Sequence, residues 1–88
     1  MKRMLRVALK TPGSQAQSPA PRMMSGAVKH VAMWNGFISL WFQDESEPTE
    51  RTFRVVGTCD PVHDNEQYVG TALDGPYAWH VVEVLAPE

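Results

Sequence analysis

HVAMWNGFISLWF (residues 30–42) contains the longest apolar stretch of the chain and has the pattern of two short strands joined by a tight turn. At its centre lies Asn35-Gly36, the kind of dipeptide that most readily adopts the positive φ angles of a two-residue hairpin loop. Such a loop fixes the register of the strands, and we predict a β-hairpin. The predicted pairs are Trp34–Phe37, Met33–Ile38, Ala32–Ser39, Val31–Leu40 and His30–Trp41.

Side chains alternate between the faces of a strand, so this hairpin has two unlike faces. The aliphatic face is predicted to be buried in the monomer and holds Val31, Met33, Ile38, Leu40 and Phe42, with Lys29 at its margin. The aromatic face holds Val28, His30, Ala32, Trp34, Phe37, Ser39 and Trp41. A short chain cannot cover both faces fully, and large apolar patches seldom stay in water. We therefore expect Trp34 or Trp41 to be partly exposed, or buried only in a dimer.

The rest of the chain also alternates at strand period. RMLRVALK (3–10) places Leu5, Val7 and Leu9 on one side of an edge or second-layer strand. RTFRVVGT (51–58) is predicted to lie beside the hairpin. YVGTALDGPYAWHVVEVL (68–85) is predicted to form two strands bent at Asp74-Gly75-Pro76. One face of its second strand would join strand 5–9 in covering the hairpin, through Tyr77, Trp79, Val81 and Leu85.

Residues 1–88 are predicted to form a single domain, because so short a chain cannot build two cores. A Pro/Ser-rich loop is predicted at 11–21, TPGSQAQSPAP. No segment has a useful amphipathic helical period. The predicted fold class is all-β, a small antiparallel meander rolled into a barrel or sandwich, with little or no helix.

The composition indicates whether the chain folds and in which compartment it is expected. Hydrophobic residues at 43 % and charged residues at 20 % are typical of a folded chain. Cys59 is the one cysteine, so no internal disulfide can form and a reducing compartment fits best. Arg6 and Lys10 interrupt the apolar positions of the basic N-terminus, which argues against a secretory signal. The apolar runs are too short to span a membrane as a helix, and we expect a soluble intracellular protein.

The two halves of the chain differ in charge. Residues 1–43 contain six Lys or Arg and no Asp or Glu, whereas residues 44–88 contain ten acids and two arginines, a net charge of −8. Such asymmetry can indicate nucleic-acid binding or self-association. The alternative, which we favour, is that strands from the two halves lie side by side so that their charges intermix.

The motif order of the chain resembles a family of small phage and prophage proteins of unknown function. The family pattern is LW, then RTFRI-x-GTGHP, YIGT and a terminal WHVFE, and the chain has LWF, RTFRVVGT-x-x-P, YVGT and WHVVEV over about residues 26–84. The chain departs from the pattern where Cys59 and Asp60 replace Gly-His. The resemblance implies a phage accessory protein in the host bacterial cytoplasm, with the virion as an alternative location.

Motifs for catalysis are weak. Cys59, His63 and His80 are the only set that could hold zinc or form a thiol nucleophile with a base, but zinc sites usually have paired, closely spaced ligands. We interpret Cys59 as a semi-buried loop residue and His80 as a strand residue hydrogen-bonded to a carbonyl. The acids cluster in two turns, and nucleotide-binding and hydrolase motifs are missing from the sequence. We expect no enzyme activity, no metal and no cofactor.

Two binding functions remain. The favoured hypothesis is a non-enzymatic protein that binds a host or phage protein, with inhibition of a host enzyme or defence complex as the implied effect and a second copy of the chain as another candidate partner. The candidate surface is His30, Trp34, Phe37 and Trp41. The alternative is a single-stranded nucleic-acid-binding barrel, in which those aromatic rings stack on bases. Its candidate phosphate contacts are Arg3, Arg6, Lys29, Arg51 and Arg54. The many acids disfavour it.

Overall fold

The computed structural model describes residues 2–12 and 19–85, which contain strands, turns and loops but no helix. These residues form seven strands. The bounds are β1 Met4–Leu9, β2 Ala20–Met24, β3 Val28–Trp34, β4 Phe37–Gln43, β5 Thr49–Gly57, β6 Glu66–Asp74 and β7 Tyr77–Val84. The predicted all-β class is confirmed.

Two antiparallel sheets pack face to face. The hairpin sheet has three strands in the order β1-β4-β3, and the second sheet has four strands in the order β2-β5-β7-β6. Two separate sheets over a shared core make a sandwich, which confirms this one of the two predicted alternatives and excludes the closed barrel. The strand order is more complex than a meander of successive neighbours, because β1 pairs with β4 and β5 pairs with β2 and β7.

Ser25 ties together the chain segments that cross between the sheets. Its carbonyl oxygen accepts hydrogen bonds of 2.8 Å from the N–H groups of both Glu45 and Ser46. At the neighbouring Gly26, a Cβ atom would collide with the carbonyl oxygen of Gln43. These close backbone contacts direct the chain after β4 into the second sheet, so β5 does not lie beside the hairpin as predicted.

The β3–β4 hairpin has the predicted register. Asn35 and Gly36 have φ angles of 53° and 82°, as the tight turn requires, and every predicted pair is present. The register shifts between Val28 and His30. This bulge reverses the alternation beyond it, so Val28 packs against the core and not on the aromatic face where the sequence placed it.

The core lies between the aliphatic face of the hairpin and the inner face of the second sheet. Val31, Ile38, Leu40 and Phe42 are buried and Met33 is partly buried, which confirms the prediction for this face. The second sheet contributes the buried side chains of Phe53, Val55, Ala72 and Val81. Each of these side chains except that of Ala72 contributes about 1.5–3 kcal/mol of apolar burial.

Strand β1 is an edge strand of the hairpin sheet. Leu9 is buried and Leu5 and Val7 are partly buried against the core, as the alternation predicts. The strand lies beside β4 and not opposite it, so the second layer comes from the other sheet alone. Of the residues predicted to cover the hairpin from β7, Trp79 and Val81 do so. Tyr77 and Leu85 are 58 % and 43 % exposed because Tyr77 begins this strand and Leu85 follows its last residue.

Strand β2 was not predicted. Its first two residues, Ala20 and Pro21, belong to the stretch assigned to a Pro/Ser-rich loop at 11–21. Proline cannot donate a hydrogen bond to a ladder, but β2 is an edge strand and pairs only with β5. Residues 13–18 of the predicted loop lie outside the described residues.

Candidate functional site

The outward side of the hairpin sheet carries the predicted aromatic residues. Its strands pack on the second sheet through the opposite side, so this side faces away from the core. In the structure the aromatic face consists of Met4, Arg6, Ala8, His30, Ala32, Trp34, Phe37, Ser39 and Trp41. The structure thus brings His30, Trp34, Phe37 and Trp41 onto one surface.

Two large aromatic side chains are partly exposed at the turn end of this face. Trp34 and Phe37 form a cross-strand pair next to the hairpin turn and are 50 % and 42 % exposed. Further along, Trp41 is half-buried against His30, with ring centroids 5.6 Å apart. The prediction that the chain does not bury both Trp34 and Trp41 is confirmed.

Arg6 completes the surface from strand β1. Its register places it opposite Trp41, and its guanidinium carbon lies 4.4 Å from the centroid of the Trp34 ring. Its Nη1 also donates a 2.9 Å hydrogen bond to Oγ of the fully buried Ser39. The hydrogen bond and the cation–π contact hold the guanidinium against Ser39 and the Trp34 ring.

Sequence reasoning missed this association. It placed Arg6 among the candidate phosphate contacts and not with the aromatic residues. Alternation within β1 put Arg6 on the side opposite Leu5 and Val7, but the face it shares depends on the pairing of β1 with β4. That pairing is distant in sequence and has no local signal.

The other candidate phosphate contacts lie elsewhere and are ion-paired. Arg3 and Lys29 lie at the end of the hairpin sheet, 4.0 Å from a carboxylate oxygen of Asp44 and 3.9 Å from one of Glu45. Arg51 and Arg54 are in the second sheet and bind Glu83 and Glu66 through two hydrogen bonds each. The five basic residues therefore do not form a continuous groove.

Strands of the two halves mostly lie in separate sheets, contrary to the prediction that they lie side by side, and their charges meet in the ion pairs of Arg3 and Lys29. Strands β1, β3 and β4 contain no Asp or Glu, whereas β5, β6 and β7 contain all the acids that lie in strands. Only β2, from the basic half, pairs with a strand of the acidic half. The physical reason is that the basic half supplies a whole sheet by itself.

The ion pair Arg54–Glu66 lies on the outer side of the second sheet. Arg54 Nε and Nη2 donate 2.6 Å hydrogen bonds to the two oxygens of Glu66. Strand β7 lies between β5 and β6, so the pair reaches across it, and Val82 beneath is only 1 % exposed. The hydrogen bonds from Arg54, with a further one from the N–H of His63, lower the pKa of Glu66 to about 2.

A second polar cluster on this outer side was not predicted. Nε2 of His80 lies 3.0 Å from Oγ1 of Thr58, and its Nδ1 lies 2.9 Å from Oγ1 of Thr71. The Thr71 hydroxyl is in turn 2.7 Å from the hydroxyl of Tyr68. His80 is therefore held by two hydroxyl groups and not by the carbonyl that we expected. The sequence signal for this cluster was that Thr71 and His80 lie at alternating positions on two strands that pair with each other.

Cys59 and His63 are exposed, so Cys59 is not the semi-buried residue that the sequence suggested. Cys59 has a φ of 75°, an unusual value for a residue with a side chain. In the described part of the chain, no group of three or more His, Cys, Asp or Glu side chains is arranged to hold a metal ion. Cys59, His63 and His80 do not form such a group.

No helix of the described residues is long and apolar enough to cross a membrane.

Comparison with known proteins identifies the family to which the chain belongs. Neither the curated proteins nor the solved structures include a match to this chain. A family model described as a domain of unknown function (DUF7352) matches residues 1–88, and the chain therefore belongs to that family.

Proposed function

We propose that the protein is a non-enzymatic binding protein whose aromatic face docks onto another protein. The observation that carries this proposal is the Trp34–Phe37 pair, which stands half-exposed on an uncovered sheet with Arg6 packed on the Trp34 ring. Tryptophan, tyrosine and arginine dominate the binding energy of protein interfaces, and aromatic residues are enriched in their cores.

The rigidity of the surface supports the same function. The large rings lie on paired strands, and Arg6 is already held by Ser39 and Trp34. Ordering a free, rotamer-rich side chain at an interface costs about 0.5–1.5 kcal/mol. A surface whose arginine is already positioned avoids much of that cost.

A phage role is the finer part of the proposal. Resemblance to small phage and prophage proteins suggests an accessory protein that acts in the host cytoplasm on a host enzyme or defence complex. This part rests on the resemblance and is an analogy at the family level.

The polar groups of the second sheet fit a non-enzymatic role. Arg54 and Arg51 neutralise the carboxylates of Glu66 and Glu83 through paired hydrogen bonds. The ring nitrogens of His80 are both engaged by threonine hydroxyls, whereas a catalytic base is usually oriented by a third, often acidic, group.

Single-stranded nucleic acid is the second candidate ligand. It is favoured by the combination of exposed aromatic rings with Arg6 on a face whose strands contain no carboxylates. It is opposed by the ion pairs of Arg3, Lys29, Arg51 and Arg54. Base stacking would quench tryptophan fluorescence in an oligonucleotide titration, strongly at low salt and weakly at high salt.

Affinity capture from a bacterial lysate tests the protein-binding proposal. We expect the unmodified chain to retain a protein that the double variant Trp34→Ala/Phe37→Ala does not retain. Leu73→Ala is the matched control, because Leu73 is 74 % exposed and lies on the second sheet. Capture by the folded double variant at the same level as the unmodified chain would refute the proposal, and so would quenching by oligonucleotide with no protein captured.

A further inference from the structure

The aromatic face has a cationic centre. Arg6 packs on the Trp34 ring and is paired with Trp41 in the strand register, and the strands that build the face contain no Asp or Glu. A guanidinium group has five N–H donors, and the hydrogen bond to Ser39 uses one of them. Among the described residues, no carboxylate forms an ion pair with Arg6, so donors remain for a ligand.

A second copy of the chain fits this face poorly. In a two-fold dimer centred on this face, Arg6 at its middle would lie near the equivalent arginine of the other copy. Neither copy would bring a carboxylate from its three strands to neutralise the pair. Burying two like charges without a partner is costly, which disfavours a dimer through this face.

Nucleic acid also fits poorly, because the cations at the far end of the face are already paired with carboxylates. The chain leaves β4 through Asp44 and Glu45, which neutralise Arg3 and Lys29, and Glu47 follows in the same turn. A phosphate strand that crosses the face would gain Arg6 and would find Arg3 and Lys29 already ion-paired. Affinity for nucleic acid depends on several phosphate contacts.

We propose that the occupant of the aromatic face is an acidic segment of another protein. An apolar or aromatic side chain of that segment packs on Trp34 and Phe37, while an Asp or Glu carboxylate binds the guanidinium of Arg6. Arginine binds carboxylates through parallel hydrogen bonds, and its position on the tryptophan ring fixes where the carboxylate lies. This inference rests on the proposed function and specifies the chemistry of the partner.

Selection from a random library of short displayed peptides tests the inference. The full chain is the bait, and peptides that also bind Trp34→Ala/Phe37→Ala are removed. We expect the enriched peptides to carry Asp or Glu beside an aromatic or aliphatic residue. No enrichment over the double variant would refute the proposed function itself. Enrichment of neutral or basic peptides would leave protein binding intact and overturn the acidic partner.

Arginine substitutions then test the predicted contact with an enriched acidic peptide. Arg6→Gln should weaken binding by about tenfold or more, since a hydrogen bond to a charged group is lost. Arg3→Gln is the matched control, because Arg3 precedes the same strand and its side chain is 72 % exposed. It should change the affinity by less than about threefold. Equal losses for the two variants would show general electrostatic attraction and overturn the proposed contact.

Discussion

At the scale of single residues, Cys59 occupies a backbone conformation that suits glycine. Its φ of 75° lies in the left-handed region, where a Cβ atom costs roughly 1–2 kcal/mol. The preceding Thr58 bonds His80, and the following Asp60 accepts a 2.8 Å hydrogen bond from the N–H of Gly57. Contacts on both sides of Cys59 therefore hold the turn in place.

Substitutions at Cys59 should follow the cost of a positive φ. Cys59→Val should lower the free energy of unfolding by about 1–2 kcal/mol, because a β-branched side chain tolerates this region worst. Cys59→Gly and Cys59→Asn should leave stability unchanged or raised. Urea unfolding measures all three variants. Equal stability of the valine and glycine variants would show that this turn relaxes and does not impose its backbone.

Glu66 should make the protein sensitive to acid. Its pKa is about 2 in the folded chain against 4.5 for an ordinary glutamate, so the folded state holds this proton less tightly than the unfolded state. The resulting stabilisation is complete above pH 4.5 and is lost as the pH falls toward 2. It amounts to about 3 kcal/mol for a pKa shift of this size.

Glu66→Gln separates this effect from general acid denaturation. The variant should be less stable at neutral pH by about 3 kcal/mol, because Arg54 loses a largely buried partner. Its unfolding free energy should also fall less than that of the unmodified chain as pH is lowered. Parallel pH curves for the two proteins would assign the acid sensitivity to other groups.

At the scale of the elements, the contact between β3 and β6 depends on Gly70. A Cβ atom at Gly70 would lie 2.5 Å from Cγ2 of Val31, in the side chain of the facing strand. The glycine follows a bulge between Tyr68 and itself. The two edge strands can therefore pack closely only if this position has no side chain.

Gly70→Ala should destabilise the sandwich by about 1–3 kcal/mol through this overpacking. Val31→Ala alone should also destabilise it, by removing buried methyl groups. In the double variant the two changes relieve each other, so the total loss should be smaller than the sum of the single losses. Thermal and urea unfolding of the four proteins measure the coupling, and strict additivity would contradict the close contact.

Sequence prediction at this scale succeeded where structure is local. The Asn35-Gly36 turn fixed the pairing of β3 with β4, and alternation then identified the buried face. Prediction failed for β2 because a proline and small polar residues hide a strand that needs only one partner. It failed for Val28 because a bulge leaves no sequence signal that alternation can detect.

At the scale of the whole molecule, the sequence could not assign strands to sheets. Pairing of β1 with β4 joins Met4 to Gln43, and no turn links those strands directly. The candidate surface was predicted in its aromatic part, since His30, Trp34, Phe37 and Trp41 belong to one hairpin. Arg6 could not be placed there, because it reaches the surface only through long-range pairing.

The same separation into sheets gives the molecule two unlike outer surfaces. One is the aromatic face with Arg6 at its centre. The other carries the pair Arg54–Glu66 and the hydroxyl groups around His80. Both lie on rigid strands, so the location of a bound partner can be assigned to one surface or the other.

Mapping of backbone amide chemical shifts on binding an acidic peptide selected as described above tests the central claim most directly. If the aromatic face is the docking surface, the shifts should concentrate on β1, β3 and β4, together with the indole N–H groups of Trp34 and Trp41. The amides around Thr58, Tyr68 and His80 should remain unchanged. Shifts concentrated instead on β6 and β7 would contradict the account and move the binding surface to the second sheet.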